Sequence, residues 1–474
     1  MKIAMACSEA NPFVKTGGLA DVTYSLSKEL VHLGEEVVIV LPLYNQIKAK
    51  CLPLKYECYM NIELSWRNEG ANIYSLDRDG IKYYFIENRH YFERDGIYGY
   101  DDDGERFAYY CVAFIRVLEA FGFQPDIIHA HDWQPGMVFC YIREKHLSFF
   151  DNTKFIMSIH NPAFQGLLDR SALGDLFALP EYLYDNGTVR FMDKVSSLKA
   201  GIVYANKVTT VSPTHRNELL TPEGSMGLNN VLVYREWDFC GILNGIDYNE
   251  FNPEEDNLIA KNYGPTNFVS GKKENKKALM KHFGLQNEEL PLYSLVSRVT
   301  WQKGMSLVFA AARSLLNRGA NIVLLGSGEY NYEREMENLL REYPGHVGIY
   351  IGYNNDLAHL IYAGSDFFMM PSLFEPCGLG QMIAQRYGTL PIVRRTGGLR
   401  DSVINYDTYN VDRSNGYGFD NFTEFDMIQT CHFAYDIYLW DNKSHRRLVK
   451  NALLTDNSWQ KSGNSYHELY KSIL

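Results

Sequence analysis

Short, continuous apolar runs that each end in a polar cluster constrain this 474-residue chain more than any other feature. The first series occupies residues 2–7, 36–41, 126–131, 155–160 and 207–211. Between the first two runs Leu19, Val22, Leu26, Leu30 and Leu33 recur at helical spacing, and Gly34 fits a C-cap. Apolar runs alternating with helical patterns predict α/β architecture, a doubly wound parallel sheet covered on both faces. Ligands of such sheets bind beyond the carboxyl ends of the strands. That rule singles out His131-Asp132-Trp133, His160-Asn161-Pro162 and Ser212-Pro213.

A second series follows at 292–297, 322–325, 347–351, 366–370 and 390–393. The two series are separated by a change of character. Asn244-Gly245 is a turn signal, and residues 254–281 are polar and rich in lysine. The length exceeds what one core supports. We therefore expect two doubly wound domains, 1–245 and 246–457, with an amphipathic helix over 458–474. The lysines between Lys272 and Lys281 are read as a solvated helix face.

The formal net charge of −11 argues against nucleic-acid or anionic-membrane partners, so any anion site must be a local basic pocket. Eight scattered cysteines without paired spacing suggest reduced thiols. No leader-like segment or long apolar span is visible, and a cytoplasmic protein is expected. The 34 tyrosines hint at sugar stacking, although packing alone accounts for them.

Several constellations carry chemistry. Lys15-Thr16-Gly17-Gly18-Leu19-Ala20-Asp21 is echoed by Arg395-Thr396-Gly397-Gly398-Leu399-Arg400-Asp401. Paired glycines after a strand, opening a helix behind a cation, suit a phosphate or sugar cradle. Arg298 and Lys303 follow the first strand of the second series and suit a leaving diphosphate. Gly326-Ser327-Gly328 is half a dinucleotide fingerprint, but Asn331 stands where a third glycine belongs, which disfavours a nicotinamide or flavin enzyme. In the loop 371–380, Glu375 is placed to bind sugar hydroxyls, whereas Cys377 lacks a sequence-adjacent histidine to activate it. His129 and His131 are expected to project to opposite faces of their strand, making poor partners for one metal. Asp101-Asp102-Asp103-Gly104-Glu105 has its glycine misplaced for an EF-hand. No metal and no cofactor are expected.

Taken in order, these motifs, with His131-Asp132-Trp133, His160-Asn161, Gln165-Gly166, Asn244-Gly245-Ile246-Asp247 and Glu375-Pro376-Cys377-Gly378-Leu379, resemble the bacterial glycogen synthases and plant starch synthases. The resemblance runs to about Asp401, across both domains. It implies a GT-B fold, two Rossmann-like domains facing across a cleft, with the helix 458–474 returning to the N-terminal, acceptor-side domain. It implies retaining transfer of glucose from ADP-glucose to the 4-hydroxyl of a non-reducing α-1,4-glucan end (glycogen or a maltooligosaccharide) without metal. By the same resemblance His160, Arg298, Lys303 and Glu375 are catalytic. Lys15, Gly17, Gly18, Cys377, Gly378, Leu379, Thr396 and Gly397 bind the donor and its nucleotide. Asp21, Tyr91, Asp132, Asn161 and Asn244 contact sugar. The family's acceptor-side loop falls at 91–107. There are departures: Gly380 stands where relatives often carry Ser or Thr, Asn229 replaces a common Asp, and Ile383 occupies the place of a second Glu.

Overall fold

The computed structural model describes residues 1–474, which form two compact units, Met1–Ile242 with Ser462–Leu474 and Leu243–Lys461. In the first unit the strands are β1 (Lys2–Ala6), β2 (Glu36–Pro42), β3 (Lys55–Leu64), β4 (Arg67–Arg78), β5 (Ile81–Glu87), β6 (Ile127–His131) and β7 (Lys154–Ile159). They are followed by β8 (Leu167–Leu168), β9 (Arg190–Phe191), β10 (Lys194–Ser196), β11 (Lys207–Thr210) and β12 (Phe239–Gly241). Nine of them make one sheet in the order β12-β11-β7-β6-β1-β2-β5-β4-β3, and β8-β10-β9 form a small separate sheet.

β1 lies at the centre. It pairs in parallel with β2 on one side (Ile3 with Val37) and β6 on the other (Ile3 with Ile127). Strand order therefore reverses between β1 and β6, and a ligand crevice opens at such a point. The sheet is not wholly parallel. β4 is antiparallel to both β3 and β5. The apolar-run reading missed this edge because β3 and β4 alternate polar and apolar residues, as half-exposed edge strands do. A usable signal was present: Asp79-Gly80, with φ of 54° and 78°, makes the two-residue turn from β4 to β5.

The helix Trp459–Lys471 buries Tyr466 and Tyr470, and its residues from Ser462 onward belong to the first unit. The Tyr470 hydroxyl lies 2.7 Å from Nδ1 of the buried His129, and His467 Nε2 lies 2.6 Å from Glu35 Oε1.

The second unit carries β13 (Leu292–Val296), β14 (Asn321–Gly326), β15 (Val347–Ile351), β16 (Phe367–Met370), β17 (Leu390–Arg394) and β18 (Tyr417–Phe419). All pair in parallel in the order β15-β14-β13-β16-β17-β18, so the reversal falls between β13 and β16. Leu279, Leu292, Val323 and Ile361 form part of its core. The lysine-rich segment is not simply a solvated face. Within the helix Phe268–Phe283, Lys272 Nζ turns inward to the carbonyls of Ala363 and Tyr387, and Lys276 Nζ reaches Asp366 at 2.7 Å. All eight cysteines are free thiols, and no helix is long and apolar enough to cross a membrane.

Candidate active site

In the second unit the functional candidates gather beyond the carboxyl ends of β13, β16 and β17, next to the strand-order reversal. Lys303 Nζ lies 2.5 Å from Glu375 Oε2, with the two side chains only 12% and 10% exposed. The Ser372 hydroxyl donates to the same carboxylate oxygen at 2.9 Å. Arg394 holds the strand-end loop from beneath, its Nε donating to the Ser372 carbonyl at 2.9 Å. Arg298 is exposed, and its guanidinium makes no hydrogen bond or ion pair within the protein. One cation is thus fixed against a carboxylate while a second is free. That division suits a site where a donor sugar meets a carboxylate and its phosphates meet unshared positive charge.

Gly378, Leu379 and Gly380 lead from this loop into the helix Gly380–Arg386. Gly378 has φ of 73°, a backbone that favours glycine. Gln381 Nε2 donates to the Cys377 and Gly378 carbonyls at 3.1 and 3.0 Å and so fixes the turn. Burial pushes the Cys377 thiol up to about 12, with hydrogen bonds from Asn244 opposing, so it is no nucleophile at neutral pH. Asn244 is buried in the second unit, and its Oδ1 has no partner. A Cβ at Gly380 would lie 3.1 Å from the Phe368 ring, which explains why Ser or Thr is not accommodated there without movement. Ile383 is buried, and no second carboxylate stands at that place.

The glycines of Gly326-Ser327-Gly328 serve packing. A Cβ on Gly326 or Gly328 would meet the carbonyl of Ser297 or Val299, at 1.9 and 2.3 Å. Gly397 and Gly398 behave likewise. Added Cβ atoms there would meet the Glu375 and Cys377 carbonyls at 2.1 and 2.2 Å, and Gly398 N–H donates to the Glu375 carbonyl at 3.1 Å. Thr396, at the N-cap of this short helix, is buried. The second motif copy therefore seats the Glu375 loop.

The first copy, in the first unit, is different. Gly17 and Gly18 are exposed, with open space where a Cβ would stand. They open the 15-residue helix Gly18–His32, which no side chain caps. Lys15 is 52% exposed and pairs with Asp21 at 2.7 Å. Burial raises the Asp21 carboxyl despite that lysine. The loop is held by a residue the sequence reading passed over, the buried Glu9. Its carboxylate accepts from Thr16 N at 2.5 Å, Thr16 Oγ1 at 2.7 Å and the Tyr98 hydroxyl at 2.8 Å. A lone acid just past the first strand was the available clue.

At the end of β6 and just beyond β6 and β7 stand His131, Asp132, His160 and Asn161. Asp132 has φ of 59°, and its Oδ1 accepts from His160 N at 2.7 Å and Asn161 N at 3.3 Å. Burial pushes its carboxyl up to about 7 against these two amides. Asn161 Oδ1 accepts from Ala163 N at 3.0 Å. The expectation that His129 and His131 face opposite ways is wrong, because residues two apart on a strand share a face. Their rings lie 4.1 Å apart. His131 Nδ1 in turn lies 3.1 Å from His160 Nε2, and His131 Nε2 is buried without a partner. Burial lowers the imidazoles of His129 and His160 to about 3 and about 4, so both are neutral near pH 7. Tyr91 is buried with its hydroxyl 2.7 Å from Glu105, and the fully buried Arg106 donates through Nε to the Tyr91 carbonyl at 2.6 Å. As placed, Tyr91 braces the loop 91–107 and presents no open ring face.

Two doubly wound units with polar strand ends of this kind are the architecture of the GT-B glycosyltransferases. The starch synthase catalytic domain family matches residues 2–234, and glycosyl transferases group 1 matches residues 276–452. A glycogen synthase of Clostridium kluyveri is 42% identical over 482 residues, covering 100% of both chains. Among solved structures, the catalytic domain of starch synthase IV from Arabidopsis thaliana, bound to ADP and acarbose, superposes with a TM-score of 0.90 at 35% identity, covering 99% of this chain and 98% of that one. Sucrose-phosphate synthase from Thermosynechococcus elongatus, at 15% identity and a TM-score of 0.59 over 100% of this chain and 98% of that one, shares the fold alone. The chain belongs to the glycogen and starch synthase family.

Proposed function

We propose that the protein transfers glucose from ADP-glucose to the 4-hydroxyl at the non-reducing end of an α-1,4-glucan, with retention at the anomeric carbon. The observation that carries this reading is the Lys303–Glu375 pair with unpaired Arg298 beside it in the same strand-end region. Glu375 and Ser372 lie together for a donor sugar, and Arg298 and Lys303 stabilise the charge that develops on the departing diphosphate. Lys15 and the open Gly17-Gly18 helix start add a further cation and close backbone approach for the phosphates. His160, a neutral imidazole, lines the sugar near the reacting carbon. Asp21, Asp132, Asn161 and Asn244 contact sugar hydroxyls. Cys377, Gly378, Leu379, Thr396 and Gly397 form the nucleotide-side loop. The acceptor fits a glycogen or maltooligosaccharide end, in keeping with the acarbose bound by the Arabidopsis relative.

In the reaction, the bond from the anomeric carbon to the diphosphate oxygen breaks, and a bond to the acceptor O4 forms on the same face. The acceptor proton passes to the departing phosphate oxygen, so no side-chain base is needed. The test compares initial rates with ADP-glucose and UDP-glucose on a glycogen primer and follows the product anomer by proton NMR. Faster turnover of ADP-glucose into new α-1,4 linkages is expected. A preference for UDP-glucose, or a β product, would overturn the reading.

A further inference from the structure

The ends of β6 and β7 bring together two histidines whose protons their surroundings dictate. We propose that His131 is a positioning residue for His160: its Nδ1–H donates to His160 Nε2 and fixes His160 in the tautomer whose single N–H is at Nδ1. The tautomer follows from the first unit alone, and its use at a donor sugar rests on the function proposed above.

The pairing of the two rings is the first argument. His131 Nδ1 and His160 Nε2 lie 3.1 Å apart, so one of them carries the hydrogen and the other accepts it. Burial holds His131 well below the ordinary histidine range and His160 at about 4, so both rings are neutral near pH 7 and each has a single N–H. Two arrangements remain. If His160 Nε2 donated, the hydrogen of His131 would sit on its Nε2, which is buried without a partner. If His131 Nδ1 donates, that same buried nitrogen keeps only an unused lone pair. Orphaned buried N–H groups are rarer than under-used acceptors, so the second arrangement holds. His129 offers no rival partner: its ring lies against His131 with centroids 4.1 Å apart, while its own nitrogens face the Tyr470 and Ser158 hydroxyls, both at 2.7 Å.

The hold on His160 at its other end is the second argument. The neighbouring Asp132 accepts from the His160 backbone N–H at 2.7 Å, and does so from a left-handed backbone with φ of 59° that is uncommon outside glycine. Consecutive residues at one strand end thus secure both the main chain and the ring of His160. Its Nδ1 has no partner in the protein and, unlike His131 Nε2, is not sealed from solvent. The hydrogen on that nitrogen makes His160 a hydrogen-bond donor there, matched to an oxygen of a sugar.

The test is ¹⁵N NMR of the histidine side chains in the full chain at pH 7, which separates ring nitrogens with and without hydrogen. The His160 signals, among those of 13 histidines, are assigned by their loss in His160→Gln. We expect hydrogen on Nδ1 and a bare Nε2. Hydrogen on Nε2, or an average over both nitrogens, overturns the proposal. Two variants separate positioning from packing. His131→Phe keeps a ring but has no donor, whereas His131→Asn leaves a cavity but places an amide N–H near the position of Nδ1. The Phe variant should let His160 exchange between tautomers and lower kcat about tenfold, the worth of one hydrogen bond, with KM for ADP-glucose changed less than about twofold. The Asn variant should keep hydrogen on His160 Nδ1 and recover most of that loss, although it melts no higher than the Phe variant. If His131 only filled space, the Phe variant would be the better enzyme, and that order overturns the role at the sugar. A parent protein with hydrogen on His160 Nδ1 that fails to turn over ADP-glucose overturns the proposed function instead and leaves the tautomer standing.

Discussion

Lys303→Met tests the donor side most sharply, because one substitution disturbs both a structural and a chemical role. The side chain keeps its length and loses its charge. In the parent protein Nζ and Glu375 Oε2 lie 2.5 Å apart with about a tenth of each side chain exposed. Removing one member of a buried pair costs about 3–5 kcal/mol, because the other charge is left desolvated. Ser372 goes on donating to Glu375, and the pair sits at a strand end, so the low figure of about 3 kcal/mol applies. For a folding unit of 150–250 residues that lowers Tm by about 6–12 °C. Calorimetry measures this, and initial rates with ADP-glucose measure the loss of kcat/KM, expected to be two decades or more. Lys303→Met/Glu375→Gln separates the roles. With both charges gone, most of the lost stability returns, but activity does not. Lys303→Met melting within about 1 °C of the parent and turning over normally would refute the reasoning.

Arg298→Ala removes a guanidinium with no protein partner, so Tm should hold while kcat/KM falls by about 2.7–4 kcal/mol in transition-state terms, read by initial rates. Gly17→Ala meets open space and should leave Tm unchanged while weakening donor binding, measured calorimetrically. Gly397→Ala combines φ of 43° with a Cβ 2.1 Å from the Glu375 carbonyl and should cost about 2 kcal/mol or more in denaturant titration. In acid, His129, His160 and His445 have folded values of about 3, 4 and 4, below the unfolded value near 6.5. Their stabilisation is present above pH 6.5 and is lost as pH falls toward 4, at up to about 1.4 kcal/mol per pH unit each. Asp132, raised to about 7, opposes with one proton, its stabilisation fading as pH rises through 7. Net proton uptake on unfolding at pH 5, read from Tm against pH, is the expected result, and a Tm independent of pH from 6.5 to 4 would contradict it.

The strand series and the polar clusters at strand ends were legible because buried parallel strands read as continuous apolar runs, and because the topology places function at their carboxyl ends. What escaped was whatever depends on distant partners. Lys272 and Lys276 look like their exposed neighbours until residues some 90 to 115 positions away supply the Ala363 and Tyr387 carbonyls and the Asp366 carboxylate. Glu9 matters through Thr16 and Tyr98, and the latter is 89 residues away. The stack from His129 through His131 to His160 was hidden by a misapplied alternation rule rather than by lack of signal. Tyr470 reaches His129 across 341 residues, a pairing that no local pattern encodes.

The duplicated Thr-Gly-Gly-Leu motif shows how one local sequence serves two purposes. Both copies follow a parallel strand and start a helix. In the second copy the need comes from inside the protein: the Glu375 and Cys377 carbonyls occupy the space where Cβ atoms would be, and Arg395 faces Asp420 at 3.4 Å. In the first copy nothing of the protein comes near, so packing does not explain two exposed glycines at the start of a long helix. An uncapped helix start, a half-exposed lysine and glycines with open space beside them make sense together if something outside the protein approaches that backbone. Lys15 is already balanced by Asp21, so a ligand phosphate there must compete with a carboxylate, whereas one at Arg298 does not. Under the proposed function the first copy is thus the adjustable contact, and Arg298 the standing one.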